Sequence, residues 1–319
     1  MEEKKTRIFH ATDPHGNELI WRKYLKTSVN YKADVIMLFG DLTGKAIVPI
    51  VKRESDWYSA PFGKTERYFS REEVDKKIKS IRDEGLYAIE MSESDARACQ
   101  EDEKKMDALF QNVMCETMDR WVSMVEEQVP KGIQVIVSPG NDDHLAIDDV
   151  IKKHERVIYP LNKAVDIGDK YKLISCEWVN PTPWLTPREC PEEELMKKLD
   201  REFSRVDRYD DLLCNFHAPP FGTILDVAPK LDKTLKPVAH FGSVETESVG
   251  SKAVLDAIMK YQPLLGLHGH IHECNAHTYL GKTLCVNPGS DYRKGILRGY
   301  VVDLPSPENP KMECWRVEG

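Results

Sequence analysis

The chain has no apolar run approaching the ~18 residues that a membrane-spanning helix requires. It also has no stretch dense in lysine and arginine. That absence, with 45 basic against 53 acidic residues and a net charge of −8, disfavours nucleic acid as a partner. The eight cysteines, at 99, 115, 176, 190, 214, 274, 285 and 314, form no CxxC pair, so no zinc ribbon or dithiol redox motif is read from them. They are expected to be reduced thiols. The first residues, Met1-Glu2-Glu3-Lys4-Lys5, are charged and lack the apolar stretch of a secretory signal, so the expected location is cytoplasmic. Repeats and low-complexity linkers are absent too. What is present, 41% hydrophobic and 31% charged residues in a chain of 319, is the composition of a folded globular protein.

Apolar periodicity places the elements. Residues 7–12 read as a buried strand ending at Asp13, and 16–29 carry helical spacing. Residues 33–39 and 132–137 are continuous apolar runs, the mark of strands covered on both faces. Strand, helix and strand with short links predict βαβ units and a parallel sheet. Ser70-Arg71-Glu72-Glu73 has capping-box form and predicts a helix ending near Gly85, and Ser92 predicts a second helix start. An apolar stripe from Met106 to Val125 then runs until Pro130 stops it. In the second half, 166–178, 212–217, 264–268, 276–286 and 299–304 read as β segments, with helices at about 191–206 and 251–261. The expectation is one α/β domain, residues 1–319, with residues 46–100 inserted in it.

The polar residues at the strand ends carry the chemistry. The first strand ends in Asp13-Pro14-His15, the second in Gly40-Asp41 and the third in Gly140-Asn141-Asp142-Asp143. Later strands end in His217 and in His268-Gly269-His270-Ile271-His272. In open α/β sheets ligands bind beyond the carboxyl ends of the strands, so these clusters should meet at one edge. Carboxylates, imidazoles and one amide oxygen make a donor set suited to Mn²⁺, Fe or Zn²⁺ better than to Mg²⁺ or Ca²⁺ alone. Each piece alone is weak; their joint occurrence, each at a strand end, is the signal.

Together the five motifs resemble those of the calcineurin-like metallophosphoesterase superfamily: D-x-H, GD, GNH followed by Glu or Asp, a lone His, and GHxH. Val286-Asn287-Pro288-Gly289-Ser290 also resembles a turn of its smaller prokaryotic, phosphodiesterase-like members. The likeness covers nearly the whole chain except about residues 45–130. It implies a four-layer sandwich, two mixed β-sheets flanked by helices. It also implies two divalent or trivalent metal ions, manganese first, with iron or zinc as alternatives, and Asp41 shared between them. One ion would take Asp13, His15 and His272; the other would take Asn141, His217 and His270. The implied reaction is hydrolysis of a small-molecule phosphoester by in-line attack of a hydroxide held between the metals.

One position departs from the pattern. Where the family usually keeps a histidine after Asn141, this chain has Asp142. An ionised carboxylate near two cations is a poor proton donor, so a phosphodiester, or an ester with an easily departing group, is expected over a demanding monoester. His144 is a candidate substitute acid, and a helix-start residue is the plainer reading of it. Asp143 is expected to orient a ligand, and Asn287 and Ser290 to shape a loop beside the metals. The insertion, residues 46–100, is expected to form a cap. The alternatives are a nuclease of the same fold and a non-catalytic binding scaffold. The sequence says nothing of oligomeric state.

Overall fold

A computed structural model of the chain describes residues 5–307 and 309–319. The charged start read at Met1 to Lys4 lies outside the described residues. The apolar run Val35–Phe39 is a strand buried along its whole length. It pairs in parallel with Arg7–Thr12 on one side and Gln134–Ser138 on the other. Arg298–Asp303 and Glu313–Glu318 add antiparallel strands beyond Arg7–Thr12, making a five-stranded mixed sheet.

A second mixed sheet has six strands. Tyr171–Cys176, Leu212–Phe216, Leu265–Leu267 and Thr283–Asn287 run parallel, with Val165–Ile167 and Ala276–Leu280 antiparallel at the two edges. The stretches 166–178 and 276–286, read as single β segments, are therefore hairpins. Turns at Gly168 and Gly281, both at positive φ, close them.

Period-two alternation decides what each strand buries. In the first sheet Ile8, Val35, Met37 and Phe39 meet Leu173, Leu213, Leu265 and Leu284 of the second, so the two sheets pack face to face. Phe9, Ala11, Ile36 and Leu38 point the other way, onto a helical layer that includes Trp21 and Trp121, whose rings stack at 5.0 Å. Leu212, Cys214 and Phe216 pack likewise beneath Leu195, Leu199, Val254 and Ile258 of the helices Glu192–Phe203 and Lys252–Tyr261. The result is a mixed α/β sandwich.

The predicted caps form. Ser70 Oγ accepts from the Glu73 amide at the start of Arg71–Asp83, and Ser92 caps Glu93–Glu101. Asp102 then caps a separate helix, Glu103–Gln128, whose Met114, Met118, Trp121, Val122 and Val125 are buried. Residues 46–100, where the sequence reading found helices, also hold four strands. Ile47–Lys52, Trp57–Ser59, Glu66–Tyr68 and Tyr87–Ser92 form a sheet with its own small core of Val48, Ile50, Tyr68, Val74 and Ile81.

Candidate metal centre

The parallel strands deliver their carboxyl ends to one edge, and the backbone there is tightly turned. Asp13, His15 and His270 all adopt positive φ, of 53°, 43° and 67°. Non-glycine residues avoid this region, and strain of this kind persists where surrounding contacts enforce it. Gly40 sits at φ 87°, and a Cβ there would run into Asp13 Oδ1 and the Thr12 hydroxyl. The glycine before Asp41 thus lets the first two loops close on each other. The Asp41 amide donates to Asp13 Oδ1 at 2.9 Å, and the His270 amide donates to Asp13 Oδ2 at 2.9 Å.

These turns gather the side chains. Asp41 Oδ2 lies 3.7 Å from His15 Nε2, and Asp41 Oδ1 lies 3.5 Å from His217 Nε2. His15 Nε2 is 3.0 Å from His272 Nε2. His217 Nε2 is 3.0 Å from Asn141 Oδ1 and 3.7 Å from Asp13 Oδ1. Three sets of ligand atoms lie mutually within 4.8 Å: Asp13, His15 and His272; Asp13, Asp41 and His217; and His15, Asp41 and Asp142. His270 belongs to none of these sets. Its ring lies beside His217, centroid to centroid 5.3 Å.

The donors fit a cation. Two neutral imidazole lone pairs 3.0 Å apart repel unless a proton or a metal ion lies between them. Burial, reinforced by His272, pushes the His15 pKa well below its ordinary value, and burial with His217 pushes His270 down to about 3, so both rings keep a lone pair free for a metal. Burial opposes charge on Asp41, yet His217 and His15 hold its carboxyl well below the usual carboxylate range. Burial also opposes charge on His217, but Asp13 and Asp41 outweigh it and raise the pKa. His15 Nδ1 and His217 Nδ1 are buried with no hydrogen-bond partner.

The neighbouring acidic pair divides its work. The Asp143 carboxylate accepts from the amides of Leu42, Thr43 and Gly140 and from the Thr43 hydroxyl, tying the second loop to the third. Burial and then Asp41 push its pKa up to about 7. The Asp142 amide donates to Asp41 Oδ1 at 2.9 Å, and its carboxylate reaches Lys45 at 2.8 Å. His144 is exposed, and its Nδ1 accepts from the Ala146 amide at the start of the helix Ala146–Lys152.

Asn287 Nδ2 donates to the carbonyls of Gly269 and Ile271, and Ser290 Oγ to that of Asp13, so the turn at 286–290 buttresses the loops that carry Asp13, His270 and His272. Other contributors escaped the sequence reading. Thr186 accepts a hydrogen bond from Asn141 Nδ2, and the Arg188 amide donates to the Asn141 carbonyl. The fully buried Arg188 guanidinium also holds the Asp143 carbonyl and pairs with Asp148. Lys45 carried no motif. Its only sequence signal was its place four residues after Asp41.

No family model matches the chain. Among curated proteins, the uncharacterized protein MJ1162 of Methanocaldococcus jannaschii is 28% identical over 158 residues, 49% of this chain and 64% of that protein. The match thus spans less than two thirds of that relative's length. One solved crystal structure is similar at TM-score 0.59 and 16% identity, covering 98% of this chain and 99% of the other. The crystal structure of TT1561 of Thermus thermophilus follows at 0.51 and 15%, with 98% and 99% covered. A novel archaeal phosphodiesterase gives 0.38 and 12%, with 98% and 100% covered, too loose a likeness to bear on function. At these identities the first two speak for the fold alone. Among the described residues, no helix is long and apolar enough to cross a membrane.

Proposed function

We propose that the chain is a metal-dependent phosphoesterase with the four-layer metallophosphoesterase architecture, one domain over residues 1–319 with residues 46–100 as a cap-like insert. One observation carries the reading. The two oxygens of Asp41 face two different imidazoles, Oδ2 toward His15 and Oδ1 toward His217. That is the posture of a carboxylate shared by two cations, whose mutual repulsion it offsets.

In this reading Asp13, His15, His272 and Asp41 hold one ion, and Asp41, Asn141, His217 and His270 hold the other. Manganese, iron or zinc suits the donors. Two such ions supply Lewis-acid charge to phosphoryl oxygens and lower the pKa of water near them. The chain's own part is to fix the donors on strained, buried loops, so that little reorganisation is needed when charge develops. Asp142 and His144 are the candidates for handling the leaving oxygen. The substrate is a small phosphoester, with a diester favoured, and the protein acts in the cytoplasm.

The test is a panel of small diesters, monoesters, nucleic acid and phosphoprotein. Each is offered to the metal-stripped protein after reloading with one divalent metal at a time. Turnover of small diesters with Mn²⁺ is expected. Cleavage of nucleic acid instead would favour a nuclease, and no turnover with any metal would favour a binding scaffold.

A further inference from the structure

The carboxylate of Asp142 poses an electrostatic difficulty. It comes within 4.8 Å of the ligand atoms of His15 and Asp41, so it faces the centre, and an anionic phosphoester entering there would meet its charge. Lys45 answers it. Its Nζ lies 2.8 Å from Asp142 Oδ2. The two side chains are 55% and 27% exposed, which puts the pair at the mouth of the site and not in its floor. The Lys45 charge also meets that of Asp41.

The segment that carries Lys45 is held on three sides. The amides of Leu42 and Thr43 donate to Asp143. The Gly44 amide donates to the buried Tyr87 hydroxyl at 2.8 Å. A Cβ at Gly44 would collide with the Gly85 carbonyl, so the backbone there packs as closely as glycine allows. An ordinary exposed ion pair contributes little to stability.

We infer that Lys45 is a substrate-contacting residue, its ammonium meeting a phosphoryl oxygen of the ester while Asp142 holds it at the mouth of the site. An ammonium has three donors on a flexible stem, so it can keep one on Asp142 and turn the others to the ligand. The lysine restores the positive field that Asp142 removes. The contact is ionic and forms no bond. This inference rests on the phosphoesterase reading.

The experiment is calorimetric binding of inorganic phosphate to the manganese-loaded protein, with metal content by elemental analysis and kcat/KM for a small diester alongside. Lys45→Met is expected to weaken phosphate binding and lower kcat/KM by roughly 10-fold or more, below the 10²–10³ of a buried oxyanion donor because Lys45 is half exposed. Metal content should stay at the wild-type level. The double variant Lys45→Met, Asp142→Asn should remain weak. Full recovery in the double variant would mean that Lys45 only neutralises Asp142 and would overturn the contact. Unchanged phosphate binding in Lys45→Met, in a wild type that binds phosphate and turns over esters, overturns the inference and leaves the phosphoesterase reading standing. A manganese-loaded wild type that neither binds phosphate nor hydrolyses any ester overturns both.

Discussion

The Asn141 side-chain nitrogen donates to the Thr186 hydroxyl at 2.8 Å. That bond settles which end of the amide faces inward, because it leaves Oδ1 toward His217. Thr186 in turn donates to Glu189, which also accepts from Thr182, so the orientation is passed down a short chain of hydrogen bonds. Thr186→Val keeps the shape and removes the acceptor. Removing such a supporting partner typically costs 10–100-fold in metal affinity or activity, and about 10-fold is expected here because the Arg188 amide still holds the Asn141 backbone. Titrating metal into the stripped protein checks it. Wild-type affinity would mean that His217 alone orients the amide.

Asp41 should be the least replaceable ligand. One of its oxygens faces His15 and the other faces His217. Asp41→Asn keeps the volume but supplies one oxygen donor and no charge, so both ions should weaken. A loss well beyond the 10–100-fold of a supporting residue is expected, and His15→Ala should lose mainly one ion. Elemental analysis of dialysed proteins reads this directly. Equal metal content in the two variants would speak against a shared carboxylate.

The clustered polar residues were legible because each stands where an apolar strand stops, a feature that periodicity alone locates. Asp13, Asp41, Asn141, His217 and His272 need no knowledge of which strands pair. Thr186, Arg188 and Lys45 do. Arg188 reaches Asp143 across 45 positions, and Asp143 reaches Leu42 across 101. Nothing in their local sequence marks those contacts. Two strands of the insertion were missed for a different reason. Trp57–Ser59 and Glu66–Tyr68 are three residues long, too short for alternation to register. Glu313–Glu318 is an edge strand, mostly exposed and rich in charge, as edges that resist aggregation are. Its composition therefore argued against a strand.

Away from this site, Glu18 links the helix Glu18–Leu25 to the long helix Glu103–Gln128. Its carboxylate accepts from Arg22 at 2.6 Å and from Arg120. Burial opposes the charge, but Arg120 and Arg22 outweigh it and hold the pKa below its ordinary value. A depressed carboxyl contributes stability above its unfolded pKa of about 4.3 and loses it as pH falls through the lower folded value. Glu18→Gln should cost about 1–2 kcal/mol at neutral pH, less than a fully buried charged hydrogen bond because both arginines stay partly in water. Urea unfolding from pH 7 to pH 3 should show wild type and variant converging at the acid end. A gap that persists there would assign the loss to packing.

The last expectation concerns the leaving group. Asp142 sits beside the centre with its carboxylate on Lys45, and His144 uses Nδ1 to accept from the Ala146 amide. Neither is arranged as a free acid over the site. General acid help is worth ~10²–10⁴-fold, and least when the leaving group is already stable as an anion. The loaded protein should therefore favour esters with acidic leaving groups, and kcat/KM should fall steeply as leaving-group pKa rises. Asp142→His should make the dependence shallower, if the new imidazole reaches the leaving oxygen. A shallow dependence in the wild type would show that a proton donor already acts. His144 would be tested first, and His144→Ala should then restore the steep slope.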